Sequence, residues 1–283
     1  MGALLALLAA ISYGIGDFLG GLGGRRAHAA LIPIPVQVVG MLTATVAILT
    51  GLGGAPTTPA LLWGSVSGIG SGVGNATLIR GLAAGRMSVV APLSAVMTAA
   101  VPALVGIVAG DRLAAAGWSG IALALPAVAL TSWEGKAAGF GLSDIAYGVG
   151  AGCGFGLLFV ALDRAGADSG AWPLLPGQIV ALGIVTVVAV PQINRIRRGK
   201  VRPQLSATLR WGAASGALGA SASLLFLFAS GAGQLTVVAV LASLYPAFTV
   251  LLAAAVLREP IAGTQTVGLV ASAASVVLIV IGS

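Results

Sequence analysis

Apolar residues run in long blocks along almost the whole chain, parted by short stretches where Gly, Pro, Arg and Lys collect. A helix of about 20 apolar residues crosses a hydrocarbon core about 30 Å thick. The pattern therefore predicts spans near 3–22, 33–52, 61–82, 88–109 and 113–131, then 145–162, 172–190, 207–230, 236–257 and 261–281. The first block carries no basic segment ahead of it and no convincing cleavage site, so it reads as a span rather than a signal peptide.

The blocks repeat. An ungapped offset of 148 residues, the separation of Trp63 and Trp211, also pairs Ser67-Gly68 with Ser215-Gly216, Val89-Val90-Ala91 with Val237-Val238-Ala239, Asp111 with Glu259 and Gly120 with Gly268. In the first helix of each set, Tyr13-Gly14 corresponds to Phe155-Gly156. An odd number of spans followed by its copy turns that copy upside down in the membrane. The expected fold is thus an all-α membrane protein of ten transmembrane helices, arranged as two inverted five-helix repeats over residues 1–132 and 145–283.

Composition agrees with lipid as the main solvent. Hydrophobic residues make up 58% of the 283, charged ones 7%, and the mean hydropathy is +1.07, which leaves no room for a soluble domain. The net charge of +7 lies between the apolar blocks, where it signals topology rather than nucleic-acid binding. Connections from odd to even helices collect Arg25, Arg26, Arg80, Arg86, Lys136, the Arg195–Arg202 cluster, Arg210 and Arg258, whereas the other face keeps Arg112 and Arg164. By the positive-inside rule the rich face is cytoplasmic and both termini lie outside.

Several strings resemble landmarks of the EamA family of the drug/metabolite transporter superfamily. They are Ser12-Tyr13-Gly14, the run from Gly85 to Pro92, Leu244-Tyr245-Pro246, and the acids Asp111 and Glu259 that close the fourth and ninth helices. The resemblance covers nearly the whole chain as two copies and implies carriers of metabolites, amino acids or drugs, including metabolite exporters. It also implies both termini in the cytoplasm, opposite to the charge tally.

Asp17 is the most informative residue, because a carboxylate within an apolar span faces a bundle interior or a watery cavity. Two readings stand side by side: coupling, in which Asp17 exchanges a proton or a cationic substrate between the two faces, and structural pairing with Arg80 at the end of the third helix. A third has the carboxylate reaching back to water. Pro92, Pro102 and Pro246 are expected to interrupt the fourth and ninth helices, and such breaks line cavities in carriers. Tyr245 and Thr249 beside Pro246, with Tyr13, Phe155, Gln37, Asn75 and Gln178, complete the candidate substrate-binding or coupling set. For the amides, bonding between helices is the competing role.

Glycine ladders such as Gly16/Gly20/Gly24, Gly64/Gly68/Gly72, Gly148/Gly152/Gly156 and Gly212/Gly216 predict close helix contact, and also sliding faces. Trp63, Trp118, Trp172 and Trp211 near span ends read as interfacial anchors, His28 as a solvated loop residue, and Cys153 as a buried, inert thiol. One His and few acids argue against an enzyme, and no cofactor, metal site or phosphate loop is implied. The leading expectation is a secondary transporter in the cell membrane, moving a small molecule by alternating access, with protons as a candidate coupling ion and a monomer or weak oligomer as its state. The alternative is a lipid-linked carrier flippase or a non-transporting accessory subunit.

Overall fold

The computed structural model describes residues 1–27, 29–84, 87–133, 141–199 and 204–282; His28, Gly85, Arg86, Lys136, Lys200 and Arg202 of the readings above lie outside them. The described residues form α1 (Gly2–Arg26), α2 (Pro33–Ala47), α3 (Thr58–Ala84), α4 (Met87–Ala109), α5 (Ala115–Thr131), α6 (Leu142–Ala165), α7 (Leu174–Arg197), α8 (Leu205–Gly231), α9 (Leu235–Ala242), α10 (Tyr245–Leu257) and α11 (Gly263–Gly282). Eight segments are long and apolar enough to cross a membrane, counting α2 with its π-helical extension to Leu52 and α9 with α10 as one span each; α5 is a shorter apolar helix. The chain is an integral, multi-pass membrane protein. Helix α3 has the length of a span at 27 residues, but its glycines, serines and Asn75 dilute its apolar character.

The ninth expected span is split. Pro246 has no N–H to continue the ladder, and the chain turns through tighter bonds from Leu244 N–H to Leu241 O and from Ala247 N–H to Leu244 O. Helix α4, by contrast, runs unbroken through Pro92 and Pro102, against the expectation that all three prolines interrupt their helices. Its packing on α6 and α9 holds it in line past both rings.

Lipid tails offer helices no hydrophobic incentive to associate, so contact depends on van der Waals fit and on small residues that let backbones approach. Every ladder named above has members used in this way. Gly64 and Gly68 of α3 meet Pro173 and Gly177 ahead of and within α7, while Gly212 and Gly216 of α8 meet Pro35 and Val36 of α2. Gly148, Gly152 and Gly156 of α6 receive Leu93, Met97 and Val101 of α4. Gly16 and Gly20 of α1 lie against Leu218 and Ser215 of α8, where Ser12 Oγ also donates to Leu218 O at 2.9 Å. Gly70 and Gly74 of α3 cross Gly154 of α6 with backbones in contact.

Two ends of the bundle differ. At one, Arg25 Nη1 meets Glu259 Oε1 at 2.7 Å and the Arg26 guanidinium lies 5.3 Å from the Trp211 ring centre, joining the ends of α1 and α10 to the start of α8. At the other, Asp111 Oδ2 accepts the Thr236 N–H at 2.8 Å, Gln234 Nε2 donates to Arg112 O at 2.7 Å and Ala114 N–H donates to Gly282 O at 3.1 Å. All eight residues of α9 are buried at this second end, packed with Leu162, Phe226 and Leu227.

Cys153 is exposed on α6, a correction to its expected burial: the glycines beside it, Gly152 and Gly154, take the two inner faces and turn the thiol outward. An outward side chain at this depth meets lipid. In proteoliposomes Cys153 is expected to react slowly with membrane-permeant N-ethylmaleimide, since the thiolate does not form in hydrocarbon, and to resist a sulfonated maleimide; rapid labelling by the charged reagent would place it in water.

Candidate transport cavity

Aromatic and hydroxyl side chains of α1, α6, α8 and α10 converge near the middle of the bundle. The Tyr13 ring centre lies 5.9 Å from Phe159 and 6.2 Å from Tyr245, and Phe159 stacks on Phe226 at 4.3 Å. The Tyr13 and Ser223 hydroxyls are 2.8 Å apart. Because Ser223 Oγ already donates to Gly219 O, Tyr13 is the donor between them. Buried tyrosine hydroxyls need such partners.

This layer is the floor of a cavity of about 840 Å³, within the 300–1,000 Å³ range of small-molecule sites. Exposure rises along its wall. Ser67 and Leu174 are buried, whereas Ile261, Arg25 and Glu259 at the rim are open to solvent. The cavity therefore opens at the end holding the Arg25–Glu259 pair and is sealed at the end where α9 packs.

Eight of the nine residues singled out from the sequence line this one cavity: Tyr13, Asp17, Gln37, Asn75, Phe155, Gln178, Tyr245 and Thr249. Asp17 lies one turn past Tyr13 on the same face of α1 and interacts electrostatically with both Tyr13 and Tyr245. It sits nine residues before Arg26, about 14 Å into the helix at 1.5 Å per residue. Its side chain is exposed, but to the cavity rather than to the outer surface. Among the described residues it has neither a hydrogen bond nor an ion pair.

Arg80 is the exception. It is exposed near the end of α3, does not line the cavity and forms no ion pair with Asp17. The reason is topological: α1 packs on α8, α9 and α10 while α3 packs on α6 and α7, so the cavity separates the two helices. Structural pairing of Asp17 with Arg80 is thereby corrected.

The amides and hydroxyls divide by what they have left to offer. Thr249 Oγ1 donates to Gly14 O at 3.1 Å and to Tyr245 O at 3.3 Å, tying α10 to α1, so its hydrogen is committed. Asn75 Nδ2 donates to Ser71 O at 3.0 Å, and its carbonyl oxygen is uncommitted among the described residues. Gln178 Oε1 and Ser94 Oγ are buried without a protein partner, and both residues line the cavity. Ser94, Ser223, Phe159 and the rim pair were not singled out from the sequence as site residues. The 148-residue register does hold a signal for Ser223, which it pairs with Asn75.

The Arg25–Glu259 pair is solvent-exposed, with side chains 64% and 44% accessible. Water screens such pairs, so removing it through Arg25→Gln, Glu259→Gln and the double variant is expected to show a coupling below about 1 kcal/mol. Denaturation of the four proteins in detergent measures this; a larger coupling would mean that the rim excludes water.

The family model of the EamA-like transporter family matches residues 142–281. No curated protein matches the sequence. Among solved structures 21 chains match; one, described as "Crystal structure of protein", superposes with a TM-score of 0.71 at 14% identity, covering 98% of this chain and 95% of that one. At that identity the likeness speaks for the fold.

Proposed function

Because residues 142–281 form an EamA-like transporter family domain, part of the drug/metabolite transporter superfamily, we propose that the whole chain is a secondary carrier moving a small metabolite, amino acid or drug-like molecule by alternating access. The observation that carries this reading is the central cavity: polar groups from both halves of the chain meet in one space, open at one end and tightly packed at the other. A carrier needs that asymmetry in each of its states. The open end bears Arg25, Arg26 and Arg258, so under the positive-inside rule this state faces the cytoplasm.

Two inverted repeats, 1–132 and 145–283, supply the second state. Exchange of the halves maps the contact of α1 with α8 onto that of α6 with α3, and the contact of α2 with α8 onto that of α7 with α3; all four occur. It also maps Tyr13 beside Ser223 onto Phe155 beside Gly74, the neighbour of Asn75. Opening the sealed end then amounts to giving α4, α6 and α9 the arrangement that α10, α1 and α4 now have at the open end. Asp17, a carboxyl group at depth without a partner among the described residues, is the group that couples this exchange to protons.

Purified protein in proteoliposomes, offered a panel of labelled amino acids, amines and aromatic metabolites under an imposed pH gradient, tests the reading. Accumulation above empty liposomes, together with stabilisation of the purified protein against heat by the same solutes, is expected. Stabilisation by lipids alone, with no solute accumulated, would overturn it.

A further inference from the structure

We propose that the cavity recognises an organic monocation, a protonated amine or quaternary ammonium with an aromatic or branched apolar body. This rests on the carrier reading and goes beyond it by naming the cargo's chemistry. The starting point is charge. Of the ionisable side chains that line the cavity, Arg25 and Glu259 neutralise each other at the rim, and Asp17 is left as the charge at depth. At the depth of Asp17 an anion would meet a carboxylate and no cation among the described lining residues, the arginines standing at the mouth, whereas a cation would meet the partner that Asp17 lacks. A carboxyl group within an apolar span is held in its ionised form most strongly by a paired cation.

The surroundings of Asp17 are those an ammonium uses. Tyr13 stands one turn away on α1 and Tyr245 faces it from α10, with Phe159 completing the ring layer. Aromatic faces attract a cation through their quadrupole, and more strongly where water is scarce. The two further helices on α1 bring no charged side chain to the cavity: α8 lines it with Ser215 and Ser223 while its Arg210 lies outside the lining, and α9 carries no titratable residue. A lone carboxylate among rings is a poor site for a metal ion, which takes six or more oxygen ligands when it is calcium or magnesium, and no cluster of three metal-ligating side chains occurs among the described residues. Phe155, Leu158 and Val250 give the wall apolar stretches between its amides and hydroxyls, which suit the body of an amphiphilic cation rather than a small hydrated one.

Calorimetric titration of the purified protein with three ligands of similar size tests this: benzyltrimethylammonium, phenethyl alcohol and 3-phenylpropionate. The cation is expected to bind at least about tenfold more tightly than the alcohol, the combined effect of a charge pair and ring contacts, and the carboxylate not to bind. Asp17→Asn should remove the preference for the cation, so that cation and alcohol bind alike, and Asp17→Glu should restore part of it. Should Asp17→Asn fail to yield folded protein, the ligand series on the wild type decides alone. Equal binding of cation and alcohol, or tighter binding of 3-phenylpropionate, would overturn the proposal. Proteoliposome counterflow separates this from the carrier reading: exchange of neutral or anionic solutes without cation binding would sink the cargo and keep the carrier, whereas cation binding with no solute exchanged would leave the ligand class standing and sink the carrier.

Discussion

Proteoliposomes containing Asp17→Asn are expected to lose pH-gradient-driven uptake by at least about tenfold, since the contacts of a charged group contribute about 1.5–3 kcal/mol and 1.4 kcal/mol is a factor of ten. Asparagine keeps the size and polarity of the side chain but cannot exchange a proton. The change should leave the fold intact. Asp17 has no hydrogen bond or ion pair to lose among the described residues, and its side chain projects into open space. The measurement is accumulation of the labelled solute panel by variant and wild type under the same imposed gradient, with melting temperature as a control. Equal gradient-driven accumulation by both proteins would remove Asp17 from coupling.

A larger loss is expected from a residue with no chemistry. At Gly154 of α6, an added Cβ would stand 2.6 Å from Gly74 N, 2.7 Å from Gly74 Cα and 2.8 Å from Gly70 O. Those atoms are backbone, so the clash is relieved only by moving α3 away from α6. Overpacking in a well-packed core costs about 1–3 kcal/mol and at times more. Gly154→Leu, with three further carbons and a rigid neighbour, should sit at or beyond the upper end. The expected result is protein that aggregates or melts far below wild type on size-exclusion after heating. Gly183 of α7 is the control, since nothing lies within 4 Å of its added Cβ and it faces outward. Gly183→Leu should be neutral or slightly stabilising, because glycine is about 0.8–1.0 kcal/mol worse than alanine within a helix. Similar melting of the two variants would show that the α3–α6 crossing tolerates separation.

Glycine thus has two meanings in this chain, and the sequence distinguishes them only in part. The ladders at Gly64/Gly68/Gly72 and Gly148/Gly152/Gly156 are visible as spacing, and spacing alone predicts a face. Which helix fills that face is a matter of topology. Gly70 and Gly74 lie on another side of the same α3, interleaved with the first ladder, and belong to the crossing with α6. A helix with small residues on two faces is one with neighbours on both, which is also why α3 is less apolar than the other spans.

The cavity was legible to a similar degree. Polar residues within apolar spans are costly wherever they face lipid, and that cost selected Asp17, Gln37, Asn75 and Gln178, while the helix break at Pro246 pointed to Tyr245 and Thr249. All six line one space. Arg80 misled because nearness along the membrane normal says nothing about which side of a bundle a helix occupies. Ser94 and Ser223 escaped notice because serine is cheap in a helix, where its hydroxyl can bond to the preceding turn, as Ser223 does to Gly219.

What the sequence by itself determined is a set of one-dimensional quantities: an apolar block is long enough to span or it is not, and a buried polar group must find a partner. These follow from transfer free energy, which depends on the residue and its depth. What only the tertiary structure decided is pairwise: that α3 crosses α6 backbone to backbone, that Pro246 breaks its span while Pro92 and Pro102 do not, that Cys153 faces outward, and that Arg80 stands across the cavity from Asp17. Each of these depends on the rotation of one helix about its axis against another. That rotation is set by the summed van der Waals fit of many small residues, a quantity no single stretch of the chain contains.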